Sequence, residues 1–197
     1  MKQLTNPHGV EQRNRRSFIG YALALSPLIF FQAPKDAQAQ WPWSRKSLSW
    51  DDVNALIDLR FPNTPKVSTA QLAQWLDDGK SLQILDVRQP VEFAVSQIRS
   101  ARSAPKNSAL QIVANLAKDS RIIVYCSVGY RSAEITLKLR ALGFTQAFNC
   151  EGSIFQWANE GRPLFRGQNS ARLVPPLVHP FDAYWATLLH ESLRAPV

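Results

Sequence analysis

Cysteine, glycine and histidine are scarce in this chain of 197 residues, which contains two cysteines, eight glycines and three histidines. Two cysteines exclude a multi-disulfide miniprotein, and so few glycines exclude a collagen-like repeat. The cysteines and histidines also lack the spacing of metal ligands, so we predict no metal site and no cofactor. Because 45% of the residues are hydrophobic, the composition predicts one compact α/β domain with terminal segments.

Positive charge is concentrated near the N-terminus. The chain has a formal net charge of +8, but five basic and two acidic residues lie in the first forty positions, which leaves +5 for the rest. That remainder contains no cluster of basic residues larger than a pair. We therefore expect no nucleic-acid partner.

The first 39 residues have the layout of a secretory signal peptide. A basic segment precedes an apolar stretch over 18–31, and Ala37 and Ala39 follow as small residues before a cleavage point. The apolar stretch is shorter than the roughly 20 residues of a membrane-spanning helix. Within the basic segment, Asn14-Arg15-Arg16-Ser17-Phe18-Ile19 resembles the twin-arginine export signal. We expect a periplasmic protein with no stable membrane span after cleavage; an uncleaved N-terminal anchor facing the periplasm is the alternative.

Three further segments follow the signal. Residues 40–66 form a lead-in with a short helix that begins after Ser49, and residues 67–164 alternate between strand and helix patterns. The clearest strand is 121–125, and helices are predicted over 90–95, 108–118, 131–142 and 153–159. The tail, 165–197, has helical spacing of aromatic and leucine residues over 181–194. The alternation predicts an α/β domain with a mostly parallel sheet.

Cys126 stands at the carboxyl end of the predicted strand 121–125, where open α/β sheets bind ligands. Gly129 allows the next residues to curl, so that successive backbone N–H groups can converge on one point. The start of the following helix and the guanidinium of Arg131 add positive charge there. Together these features favour a reactive thiolate over a buried, inert cysteine.

The residues from about Val67 to Pro163 resemble a single rhodanese-like domain. Three signatures carry the resemblance in the correct order: Leu85-Asp86-Val87-Arg88-Gln89-Pro90-Val91-Glu92-Phe93, the loop Cys126 to Arg131, and Glu151-Gly152-Ser153-Ile154-Phe155-Gln156-Trp157 with Gly161-Arg162-Pro163. The resemblance implies a three-layer fold, with a five-stranded mostly parallel sheet and helices on both faces. It also implies sulfurtransferase chemistry at Cys126. One departure is Ser96-Gln97-Ile98-Arg99-Ser100-Ala101, which lacks two glycines that the family commonly has near the site.

The predicted reaction is a double displacement in which Cys126 takes a sulfane sulfur from thiosulfate or a persulfide and passes it to a thiophilic acceptor. The loop residues would hold the persulfide and an anionic donor: Ser127, Val128, Gly129, Tyr130, Arg131 and Ser132. By resemblance, Asp86 and Arg88 are supporting residues, although a structural ion pair or loop brace is the stronger interpretation for Asp86. Glu92 is interpreted as a surface or bracing residue. The expected partners are a small sulfur donor and a sulfur acceptor. A protein thiol is one candidate partner.

Three alternatives stay open. The domain could be a low-turnover sulfur relay or a module that docks a partner through Phe181, Tyr184 and Trp185. It could also be a thiol redox protein that uses Cys126 and Cys150, because these two cysteines would stand at the ends of neighbouring strands. The competing interpretation is that Cys150 is a packed core residue. Phosphatase or arsenate-reductase chemistry ranks lower, since the loop from Cys126 to Arg131 has six residues and contains no carboxylate.

Overall fold

A computed structural model describes residues 48–105, 108–167 and 172–196. The predicted signal peptide and the first part of the lead-in lie outside the described residues. The elements follow one another in this order: α1 (Trp50–Arg60), β1 (Lys66–Val67), α2 (Thr69–Asp77), β2 (Gln83–Asp86), α3 (Pro90–Val95), β3 (Ala101–Ser103), α4 (Ser108–Ile112), β4 (Arg121–Tyr125), α5 (Tyr130–Ala141), β5 (Gln146–Cys150), α6 (Ser153–Asn159), β6 (Leu164–Arg166) and β7 (Arg172–Val174). Two 3₁₀ turns, Trp185–Leu188 and Glu191–Leu193, follow β7.

Five parallel strands form the main sheet in the order β1-β5-β4-β2-β3. Strand β4 lies at its centre, and all the residues from Ile122 to Tyr125 are buried. Strands β6 and β7 pair separately as an antiparallel ribbon. The predicted five-stranded parallel α/β fold is therefore confirmed. The carboxyl ends of β2 and β4 are neighbours, because Asp86 is in register with Tyr125.

Successive residues of β4 point to opposite faces of the sheet, and each face has its own apolar core. Ile123 and Tyr125 belong to a cluster that takes side chains from α1, α2, α6 and the C-terminal tail. Ile122 and Val124 belong to a second cluster that takes side chains from α4 and α5. Because both faces are covered, the central strand is apolar without interruption, which is the pattern that predicted it.

The helix predicted in the lead-in is present as α1. Ser49 caps it: its hydroxyl accepts the N–H of Asp52, and the carboxylate of Asp52 accepts the N–H of Ser49. Val53 and Ile57 are buried against the first core cluster. The lead-in thus packs on the domain, as predicted. Among the described residues, no helix has the length and apolar character needed to cross a membrane.

Two helix predictions were wrong in extent. The helix predicted over 108–118 ends at Ile112 and continues as tight turns, in which Ala114 and Leu116 donate to carbonyls three residues back. The helix predicted over 181–194 is replaced by the two 3₁₀ turns. Leu189 between them is extended, and Asn159 of α6 binds both the Leu188 carbonyl and the His190 N–H. Tertiary hydrogen bonds have taken the groups that a continuous helix would pair.

Candidate active site

The loop between β4 and α5 curls around the sulfur of Cys126. Gly129 has φ +105°, a left-handed conformation that a residue with a Cβ adopts only with strain. Its carbonyl accepts from the Asn149 side chain at 3.0 Å and from the N–H of Ala133 at 3.1 Å. Helix α6 also holds the loop, because the carbonyls of Cys126 and Ser127 accept N–H groups at the start of that helix. The predicted strand, loop and helix are therefore all in place.

Hydrogen-bond donors converge on the Cys126 sulfur. The Gly129 N–H lies 3.2 Å from Sγ, and the Ser132 hydroxyl lies 3.6 Å from it. Burial by itself raises the pKa of this thiol, but the charge of Arg131 and hydrogen bonds from Ser132 and Gly129 outweigh burial, and the net shift is downward. The thiolate is the nucleophilic form of cysteine, and the surroundings of Cys126 in this loop favour it.

Arg131 is anchored by a carboxylate. Its two terminal nitrogens each lie 2.9 Å from an oxygen of Glu92, and Nη2 also donates to the Ser127 hydroxyl. Ser127 in turn donates to Glu92 at 3.0 Å. Desolvation raises the pKa of Glu92. The hydrogen bonds and charge of Arg131 lower it by more, so the net shift of this pKa is downward. Glu92 stays ionised and neutralises the guanidinium.

The prediction that Glu92 is a surface residue was wrong. The alternative prediction, that Glu92 is a bracing residue, describes its contacts. Its side chain is only 1% exposed, because α3 presents it towards the Cys126 loop. A local signal was present: the Glu92 carboxylate accepts the N–H of Gln89, as in a capping box at the start of α3. That pattern marks the helix start but gives no sign of the second partner, Arg131, which lies 39 positions further along the chain.

Asp86 and Arg88 form a fully buried ion pair beside the site. Arg88 Nη2 lies 2.6 Å from Asp86 Oδ2 and 2.6 Å from the Ser96 carbonyl, and both side chains are 0% exposed. Arg88 also lies over the ring of Tyr125, 5.8 Å from its centroid. These contacts tie the end of β2 to the loop before β3, and they are those of an ion pair that braces the structure.

The turn that lacks the family's glycines still forms. Ser100 adopts φ +62° in the left-handed region, at the place where the family commonly has glycine. The N–H of Ala101 bonds the Ile98 carbonyl at 3.1 Å, and the Ile98 N–H donates to the Tyr125 hydroxyl at 3.2 Å. The departure therefore adds local strain without removing the turn.

Cys150 packs in a different core cluster from Cys126. Both cysteines are free and buried, with Cys150 in the first core cluster and Cys126 in the second. The Ser153 hydroxyl joins their backbones, because it accepts the Cys126 N–H and donates to the Cys150 carbonyl. Burial, followed by the negative charge of Glu160, raises the pKa of Cys150 to about 12. Its contacts are those of a packed core residue, and a disulfide with Cys126 remains a hypothesis without support from this geometry.

The C-terminal tail covers the loop, which sequence reasoning did not predict. A cavity of about 140 Å³ is lined by loop and tail residues, namely Cys126, Ser127, Val128, Tyr130, Arg131, Phe181 and Trp185. A larger cavity of about 280 Å³ lies between α1 and α6 and includes Glu151 and Glu160. It is lined by no cysteine, and its Ser68, Thr69 and Glu160 side chains are already engaged in hydrogen bonds within the protein. The smaller cavity is the candidate active site. Among the described residues, no three His, Cys, Asp or Glu side chains are grouped to hold a metal ion.

These observations define a parallel α/β protein in which hydrogen-bond donors surround a cysteine at the carboxyl edge of the sheet. The family model that matches residues 68–160 is described as the rhodanese-like domain. The described part of the chain has the rhodanese-like α/β fold, and residues 68–160 match that family model.

Two relatives and one solved structure illustrate the similarity. The probable adenylyltransferase/sulfurtransferase MoeZ of Mycobacterium tuberculosis is 34% identical over 99 residues, which are 49% of this chain and 25% of that protein. A protein named sulfurtransferase from Allochromatium vinosum is 28% identical over 50% of this chain and 92% of its own length. The crystal structure of thiosulfate sulfurtransferase from Pseudomonas aeruginosa shares the fold, with a TM-score of 0.53 and 23% identity over 62% of this chain and 24% of that one. The chain thus spans about a quarter of the length of the MoeZ relative.

Proposed function

We propose that this protein is a sulfurtransferase that carries sulfane sulfur as a persulfide on Cys126. The observation that carries the proposal is the sulfur of Cys126 facing two hydrogen-bond donors, with its pKa lowered, inside a cavity at the end of β4. The sulfurtransferase names of similar proteins support the same class of reaction.

In the first step, the Cys126 thiolate attacks the outer sulfur of thiosulfate or of a persulfide. A new S–S bond forms at Cys126, the donor's S–S bond breaks, and sulfite or a thiolate leaves with the bonding electrons. In the second step, an acceptor thiolate attacks the outer sulfur of the Cys126 persulfide and regenerates the Cys126 thiolate. The Gly129 N–H and the Ser132 hydroxyl stabilise the anionic sulfur in both steps.

Phosphatase chemistry is less well supported. Glu92 is the carboxylate in contact with the loop, but its ion pair with Arg131 lowers its pKa, so it is a poor proton donor for a phosphate leaving group. A thiol redox mechanism that uses both cysteines is also less well supported, because both are free thiols and burial raises the pKa of Cys150 to about 12.

Mass spectrometry of the intact full chain tests the proposal. After incubation with thiosulfate or an organic persulfide, we expect one added sulfur on the wild type and on Cys150→Ser, and none on Cys126→Ser. Cys150→Ser is the matched control because it removes the other buried thiol. An added sulfur that persists in Cys126→Ser, or no addition from any donor, would contradict the proposal.

We further propose that the protein acts in the periplasm after export through the twin-arginine route. The support is the sequence around Arg15 and Arg16 together with the apolar stretch that follows. Replacing both arginines by lysine should retain the chain in the cytoplasmic fraction. Unchanged export of that variant would contradict the twin-arginine assignment.

A further inference from the structure

The C-terminal tail supplies one wall of the candidate active site. Phe181 and Trp185 line the same cavity as Cys126 and the loop residues Val128 and Tyr130. The tail lies outside residues 68–160, which match the family model, so this wall is an addition to the shared domain. Most of the cavity's side chains are aromatic or aliphatic, and its charged side chain is Arg131.

The tail is firmly attached to the domain. Val178 is fully buried, its N–H donates to the Leu193 carbonyl, and its carbonyl accepts the N–H of Ala195. The Ser96 hydroxyl donates to the Leu177 carbonyl at 2.6 Å, and Leu189 is buried in the first core cluster. The aromatic wall is therefore a fixed part of the structure and not a loosely attached peptide.

The backbone of Phe181 is strained. Its φ is +67°, a conformation that non-glycine residues rarely adopt, and its N–H donates to His179 Nδ1 at 3.0 Å. Its ring lies over the guanidinium of Arg131, with the Cζ atom 4.9 Å from the ring centroid. Strain of this kind persists where the surrounding contacts over-determine it, and it is concentrated at functional sites.

The cavity has little capacity for a further anion. Glu92 neutralises Arg131 through two hydrogen bonds of 2.9 Å, and Phe181 covers the guanidinium face. The Cys126 thiolate then leaves one net negative charge in a partly enclosed, mostly apolar space. A dianion such as thiosulfate would bring two more negative charges into that space, where water screens them poorly.

We propose that the aromatic wall selects the sulfur donor: a small organic hydropersulfide, RSSH, whose substituent R is apolar and uncharged. This inference rests on the proposed function and narrows its donor class. The substituent packs between Phe181 and Trp185 while the outer sulfur faces Cys126. The Cys126 thiolate attacks that outer sulfur, the S–S bond of RSSH breaks, RS⁻ leaves, and the proton remains on the sulfur now bound to Cys126.

A matched pair of sulfur donors separates the effect of the substituent's charge from that of the donor's reactivity. Propyl hydropersulfide and 2-carboxyethyl hydropersulfide are similar in size, and only the second carries a carboxylate. The rate at which the full chain gains one sulfur is followed by intact mass for both donors and for thiosulfate. We expect wild type to load from the propyl compound about tenfold faster than from its carboxylated analogue.

Phe181→Ala should reduce that preference to about threefold or less, because it removes the apolar ring that lies over the Arg131 guanidinium. Leu173→Ala, which removes an exposed apolar side chain of the tail that does not line the cavity, should keep the wild-type preference. The ratio of the two loading rates within a variant cancels differences in folded fraction, and comparing that ratio between variants cancels the intrinsic reactivity of the donors.

Equal loading from the two donors in wild type, or an unchanged preference in Phe181→Ala, would overturn the inference while leaving the sulfurtransferase proposal intact. Absence of loading from all three donors would overturn both. A preference for thiosulfate over the propyl compound that survives in Phe181→Ala would show that Arg131 accepts the dianion despite Glu92.

Discussion

Removing the Glu92 carboxylate should destabilise the domain substantially, because that group joins α3 to the Cys126 loop. The carboxylate accepts four hydrogen bonds, from the Gln89 N–H, the Ser127 hydroxyl and two nitrogens of Arg131. Breaking a fully buried ion pair costs about 3–5 kcal/mol, and breaking an exposed one costs up to about 1 kcal/mol. Glu92 is 1% exposed, but Arg131 is 31% exposed and can recover water. We therefore expect Glu92→Ala to lower the free energy of unfolding by about 2–3 kcal/mol.

Urea unfolding of the full chain, followed by tryptophan fluorescence, measures this loss. Glu134→Ala is the matched control, since Glu134 is 52% exposed and pairs with Lys138 on the surface of α5. It should cost only about 0.3–0.5 kcal/mol.

The pH dependence gives an independent check. The folded state lowers the pKa of Glu92 from its usual 4.5, so its contribution is fully present above that pH and is lost as the pH falls through the folded-state pKa. The stability gap between wild type and Glu92→Ala should narrow in acid. A loss no larger than that of Glu134→Ala, or a gap that stays constant down to the acid limit of folding, would refute the reasoning.

Three further predictions concern residues around the site. Asp86→Ala should lower the free energy of unfolding in urea by about 3–5 kcal/mol, because it leaves the charge of Arg88 buried without its partner. The double variant Asp86→Ala/Arg88→Met should recover much of that loss. A double variant as unstable as the single one would contradict this prediction. Gly129→Ala should cost about 1–3 kcal/mol and slow sulfur loading, since alanine is strained at φ +105°; wild-type stability would argue against the loop geometry. Cys126 should react with iodoacetamide at a lower pH than an ordinary thiol, whereas Cys150, with its pKa near 12, should resist until unfolding; peptide mapping that finds Cys150 modified first would refute this.

Much of the domain could be predicted from local patterns. The continuous apolar run of β4 and the capping residue of α1 each predicted an element whose place depends on nearby residues. The position of Cys126 at the end of a buried strand predicted where the site lies. Elements with weak local signals were missed or misjudged: β1 and β3 have two and three residues, and the tail lost its predicted helix to contacts with Asn159.

The sequence by itself determined the fold class, the position of Cys126 and the curled loop, because strand burial, helix capping and a glycine conformation are properties of neighbouring residues. Only the tertiary structure decided how that loop is charged and enclosed. Glu92 neutralises Arg131 from 39 positions away, and Phe181 covers the guanidinium from a tail with no local pattern that predicts it. Charge pairing and enclosure act through space, so the environment of Cys126 depends on where the chain returns after folding.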